Sequence, residues 1–152
     1  MTEDLRTLVG QLGAQLGLDD LSPNREGVVL LGVDTFTCRI YQDEAANTVV
    51  MQTCLGTLPE DFADAGLYRA LFAANSMGSG ACGFSLGLSP GSNTVCLVGA
   101  VPCSGLTVAK LYSVIELFAH VAAVWEAKLY RVLNGGELEA AEPVMAPMQC
   151  RV

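Results

Sequence analysis

An α+β fold is what this sequence predicts: one domain of order α-β-β-β-α-β-β-α, with helices packed on a mainly antiparallel twisted sheet. Three observations lead there. Residues 28–55 hold three strand-like runs joined by turns of a few residues; such short links fit antiparallel neighbours, because parallel ones need a crossover of about a dozen residues or more. A second strand pair, 82–101, folds back on itself around Pro90 and Gly91. Stretches with helical periodicity stand before, between and after these strands.

Taken in order, Thr2 is placed to cap a first helix in which Leu5, Leu8, Val9, Leu12 and Leu16 recur at helical spacing, and Gly17 supplies its left-handed stop. Gly10 and Gly13 each cost that helix up to about 1 kcal/mol relative to Ala, so its stability has to come from packing. After a loop at 19–26, Val28 to Val33 reads as a mostly apolar strand, and Asp34 and Thr35 turn the chain into Phe36 to Gln42. There Phe36, Cys38 and Ile40 alternate with Thr37, Arg39 and Tyr41, which buries one face and wets the other. Residues 43–47 turn again, and Thr48 to Leu55 makes a third strand with Val49, Met51, Thr53 and Leu55 on one face.

Leu55 to Asn75 is expected to be a helix around which the rest is organised. Thr57 and Glu60 have the spacing of a capping box, and Glu60, Asp61 and Asp64 would meet the positive end of the helix dipole. From Phe62 to Ala74 almost no polar face remains, so this helix must be covered on two sides, by its own sheet and by a further partner. Cys82, Phe84, Leu86 and Leu88 then alternate with Gly83, Ser85 and Gly87, and Thr94 to Val101 is apolar on both faces. No charged residue occurs from Ala70 to Ala109, which supports a subunit interface there. Thr107 opens the longest helix, striped by Leu111, Ile115, Phe118, Ala122, Trp125, Leu129 and Val132 and stopped at Asn134, Gly135 and Gly136. The domain is therefore assigned to residues 1–134, and 135–152, which lacks periodicity, to a flexible tail.

Composition excludes several functions. A chain of 152 residues suffices for one core that buries about 70% of the unfolded surface. A net charge of -8 and a pI near 4.4 argue against nucleic acid or an anionic membrane as partner, since either would repel the protein. The opening MTEDLRT is acidic where a signal peptide is basic, so the expected location is cytoplasmic. The mean hydropathy of +0.42 raises the question of a membrane span. The charge-free stretch, however, is interrupted by Gly78, Gly80, Pro90, Gly91 and Pro102, leaving no apolar run of about 18 residues. Six cysteines without a secretory signal read as reduced thiols that pack as small apolar residues.

No motif for chemistry survives inspection. Gly78, Gly80 and Gly83 have dinucleotide-loop spacing, but they follow a helix and enter a strand, the reverse of what that loop needs. One histidine and no closely spaced cysteine pair give no metal site. A cysteine with His120 and Glu116 can be drawn as nucleophile, base and orienter, yet Glu116 and His120 have the spacing of an ordinary solvated helix pair. The expectation is no catalytic residue, no metal and no cofactor. What remains is apolar surface in excess of one domain's needs. Part of the first helix's stripe, with Val28 and Leu30, is a candidate groove for an extended peptide; the plainer alternative makes each of those leucines core.

The segments LVGQLGAQLGLDDL, VVLLGVD, LGTLPED with LYRALFAANS, GFSLGL and AAVWEAKLYRVL, in this order and spacing, resemble the class I type III secretion chaperones, the Tir chaperone family. The resemblance covers nearly the whole chain. It implies a cytoplasmic bacterial homodimer that holds the N-terminal chaperone-binding segment of a secreted effector in extended form, competent for export, without nucleotide. Carried over by position, it places the dimer contact on Phe62, Leu67, Leu71 and Phe72, with Phe84, Leu86 and Leu88 of the next strand. It places the effector surface on Leu5, Leu8, Val9, Leu12, Val28 and Leu30. The many cysteines and the Pro-containing tail depart from the family pattern, and the tail is the candidate contact for an export-apparatus component. Two alternatives stand: a regulator of the same fold that sequesters another secretion component, and, in a different class, a small thiol-dependent enzyme.

Overall fold

A computed structural model of the chain describes residues 2–18, 20–76 and 80–136. Its elements follow the expected order: α1 (Glu3–Leu16), β1 (Val29–Val33), β2 (Phe36–Asp43), β3 (Thr48–Thr57), α2 (Ala65–Asn75), β4 (Ser85–Leu88), β5 (Thr94–Pro102) and α3 (Val108–Leu133). The strands form one five-stranded sheet of order β1-β2-β3-β5-β4, antiparallel at every pairing. Gly78, Cys150 and residues 137–152 of the expected tail lie outside the described residues.

The meander β1 to β3 is built by side-chain alternation. Val29, Leu31, Cys38, Ile40, Val49, Met51, Thr53 and Leu55 point to one face and are buried. Thr53, the buried polar residue among them, is satisfied because its hydroxyl donates to the Thr37 carbonyl at 3.0 Å. Asp34 and Asn47 occupy the two turns at positive φ (45° and 50°), a conformation their short polar side chains tolerate. The chain then returns through β5, which lies beside β3 with Thr48 opposite Pro102 and Thr57 opposite Thr94, shifting register between Cys54 and Gly56. The inward residues Val95 and Leu97 extend the same apolar face.

All three helices contribute to the single core on that face. α1 starts at Thr2, whose side chain makes no cap bond, and ends at Gly17 in the left-handed conformation (φ 71°). α3 starts at Thr107, whose hydroxyl accepts from the Lys110 amide at 3.2 Å. It lays Leu111, Ile115, Phe118, Val121, Ala122, Trp125, Leu129 and Val132 onto the core. Its length and hydropathy match those of a membrane span; here one stripe of it is buried in the core. Trp125 is wholly buried with its indole N–H donating to the Gly80 carbonyl at 3.1 Å, and Lys128 Nζ stands 4.7 Å above its ring. Phe84 and Phe118 meet edge-to-face at 5.2 Å.

The central stretch departs from expectation. Leu55 to Thr57 completes β3, residues 58–64 form a loop, and α2 begins only at Ala65. The Thr57–Glu60 capping box does not form. Thr57 stays extended, its hydroxyl 3.0 Å from that of Thr94 across the ladder, and Pro59 disfavours helical geometry at the residue before it. The cap is Asp64, whose carboxylate accepts from the Leu67 amide at 3.0 Å. The next strand is also shorter than the alternation suggested. Cys82 and Gly83 adopt positive φ (52° and 88°) in a turn, and β4 starts at Ser85.

Candidate functional site

The sheet has two unlike faces. The inward face is closed by the helices, whereas the outward face carries Leu30, Thr37, Arg39, Cys54 and Ala100 in the open, with Tyr41, Val50, Gln52 and Val98 half-buried. The register lines these up in rows: Leu30 faces Arg39, Arg39 faces Gln52, Gln52 faces Val98, and Val98 faces Ser85. Leu30 is 56% exposed. It borders a groove of about 370 Å³ with Phe36, Thr37, Arg39, Gln52 and Cys54.

Two more hollows flank α1. Near its start, Asp4, Leu5 and Leu8 line a depression of about 450 Å³ together with Gln42, Cys103 and Leu106. Gln42 ties this end together, accepting from the Thr2 amide at 2.7 Å and directing its own amide at Cys103 Sγ, 3.8 Å away. Near the other end of α1, Leu16, Leu18, Leu31, Val33, Tyr112 and Ile115 line a hollow of about 360 Å³.

The six positions expected to form a peptide surface are thus divided. Leu5, Val9 and Leu12 point from α1 into the core, and Val28, pinned to Asn24 by hydrogen bonds of 2.8 and 3.0 Å, is buried just before β1. These four are core; for Leu5, Val9 and Leu12 the helical spacing that sets them on one stripe of α1 accounts for it. Leu8 is half-buried and Leu30 exposed, so of the six these two alone present apolar surface. Sequence reasoning missed Leu18, which is 42% exposed, and Leu16 as a surface residue at 37%. For Leu18 the available signal was Gly17, whose stop takes the next leucine off the helix.

The seven positions expected at a subunit contact divide likewise. Leu67, Leu71, Phe84 and Leu86 are buried within the chain's own core, and Phe62 packs partly against it, its ring edge-on to Tyr68 at 6.5 Å. Phe72 and Leu88 remain outside, Phe72 at 77% exposure. α2 therefore has one face on its own sheet and the other, with Phe72 and Ala73, open. Asn75 at its end bridges to β4, its amide group accepting from the Leu86 N–H and donating to the Leu86 carbonyl, both at 2.8 Å. A side-chain amide there takes the place of a neighbouring strand's peptide group.

Glu116 is engaged by the Tyr112 hydroxyl, a hydrogen bond and charge that push the tyrosine's pKa up. Among the described residues no group of three or more His, Cys, Asp or Glu is placed to hold a metal.

The fold is shared with known proteins. It matches a chain in the crystal structure of the ExsC–ExsE complex with a TM-score of 0.69 and 16% identity, over 84% of this chain and 94% of that one. It matches a chain of the HopA1–SchA chaperone–effector complex with a TM-score of 0.68 and 18% identity, over 81% and 93%. The complex of the Yersinia pestis type III secretion chaperone SycH with a fragment of YscM2 gives a TM-score of 0.61 at 18% identity, over 78% and 97%. No curated protein matches the sequence significantly. The family model of the Tir chaperone protein (CesT) family matches residues 7–126, most of the chain and every element from α1 into α3, and the chain belongs to that family.

Proposed function

We propose that this protein is a type III secretion chaperone that binds one segment of a secreted effector in extended form and keeps it competent for export. The family match over residues 7–126 carries this reading. The similar structures support it, since they are complexes, one of them named a chaperone–effector complex. In this reading the protein acts in the bacterial cytoplasm, as a homodimer, without catalysis or cofactor. Residues 1–134 do the work, and the tail is a separate contact.

The effector surface takes Leu30 and its outward groove, with Leu8 and the hollows beside α1, while Leu5, Val9, Leu12 and Val28 hold that surface in shape. Apolar side chains of an extended segment fill such hollows one by one, a mode of recognition that suits an unfolded partner. The dimer contact takes the open face of α2 around Phe72, together with Leu88.

The test is co-expression with each secreted protein found to be encoded near the gene, followed by co-purification. Leu30→Asp, at an exposed position, is expected to keep its fold and subunit mass while losing at least tenfold in affinity for that protein. Undiminished binding removes the Leu30 groove from the site. If no neighbouring secreted protein binds the wild type, the chaperone reading itself fails.

A further inference from the structure

Two thiols face each other across the central strands. Cys54 of β3 and Cys96 of β5 are direct register partners, and their sulfur atoms are 3.7 Å apart. Directly opposed residues of an antiparallel ladder have Cα atoms about 4.5 to 5.5 Å apart, within the range of about 4.4 to 6.8 Å that a disulfide spans. The ladder thus brings the pair to bonding reach with little movement of the backbone. The β3–β5 register also shifts immediately after Cys54, so the strand is already irregular where a bond would have to be accommodated.

Their surroundings differ. Cys54 is exposed and Cys96 buried. Burial, and then the contact with Cys54, push the Cys96 thiol up to about 11. An oxidant in solution meets Cys54 first, and Cys96 stands behind it. Among the described residues these are the only two cysteines that oppose each other in the sheet. Cys38 faces the core and has Leu31 opposite it.

We infer that Cys54 and Cys96 form a reversible redox site, closing to an intramolecular disulfide at the expense of a small-molecule disulfide. The Cys54 thiolate attacks one sulfur of that oxidant, forming a mixed disulfide and releasing one small thiol. Cys96 gives up its proton and attacks Cys54 Sγ, forming the protein disulfide and releasing the second small thiol. Two protein thiols are oxidised and one small disulfide is reduced to two thiols, which carry away the two protons. The bond closes a loop between positions 42 apart and ties the β1-β2-β3 half of the sheet to the β5-β4 half.

The test is to equilibrate the full chain with oxidised glutathione, trap remaining thiols by alkylation and map the products by mass spectrometry. Two of the six thiols are expected to be lost, leaving four, with a cross-linked peptide joining Cys54 to Cys96; dithiothreitol should restore all six. Cys96→Ser should stop halfway, holding one glutathione on Cys54, whereas Cys54→Ser should leave Cys96 unmodified. Cys103→Ser should close as the wild type does. A wild-type chain that keeps six alkylatable thiols overturns the proposal, as does a cross-link between any other cysteines or between two chains.

Discussion

At the residue scale, the two glycines of α1 are alike in sequence and opposite in structure. A methyl group added at Gly10 meets nothing within 4 Å, whereas one at Gly13 would fall 2.8 Å from Leu21 Cβ and 2.9 Å from the Leu18 carbonyl oxygen. Gly10→Ala should therefore stabilise the protein by about 0.5 to 1 kcal/mol, and Gly13→Ala should destabilise it despite the better helix propensity. Denaturant unfolding of the two variants beside the wild type measures both signs. Helix propensity is readable in any sequence; the approach of Leu18 and Leu21 to the helix is not. Cys38 gives a second residue-scale prediction. Burial, only partly offset by a hydrogen bond from the Gln52 backbone, pushes its thiol from 9.0 up to about 12. Above about pH 9 the unfolded chain releases this proton while the folded chain keeps it. The unfolded state is then favoured, and stability falls toward pH 12 by up to about 1.4 kcal/mol per pH unit from this group. Urea unfolding under reducing conditions, at about pH 8 and about pH 10.5, should show a smaller loss for Cys38→Ala than for the wild type, whatever the variant's cost at the lower pH.

At the element scale, the revision concerns where β3 ends and α2 begins. Thr57 with Glu60 was the expected start and Asp64 was counted only as a charge at the dipole's positive end, yet Asp64 is equally sound cap chemistry. The ladder decided between them: Thr57 lies opposite Thr94, and the pairing partner exists only because β5 comes back beside β3 from far along the chain. Asp64→Ala should cost about 1 kcal/mol and increase hydrogen exchange in the first turn of α2, while Thr57→Ala should leave that turn unchanged. Equal effects of the two substitutions would return the cap to Thr57. Apart from the start of β4, three residues later than the alternation suggested, the other boundaries were legible to within about two residues, helped by local signals such as Gly17, the turns at Asp34 and Asn47, and the Thr107 cap.

At the scale of the whole molecule, one chain seals the inward face of its sheet and leaves apolar areas uncovered, among them one around Leu30 on the sheet and one around Phe72 on α2. The proposed homodimer uses the second. Phe72→Asp is expected to halve the mass measured by light scattering while leaving the circular dichroism spectrum of the wild type, since its side chain takes no part in the core. Leu71→Asp, one residue earlier and buried, should instead unfold the chain, because it leaves an unpaired charge in an apolar core. A Phe72→Asp protein with unchanged mass would move the contact elsewhere. The sequence by itself determined the order of elements, the antiparallel sheet and the family resemblance. Alternation at a period of two, recurrence at a period near 3.6 and short turns are local properties, and here they agreed with one another. It did not determine which apolar residues serve the chain and which are left for a partner. Leu5 and Leu8 lie three residues apart on one helix, as do Leu67 and Ala70, yet their burial differs. Only the tertiary structure decided that, because burial depends on what lies opposite a side chain, and what lies opposite comes from distant parts of the chain.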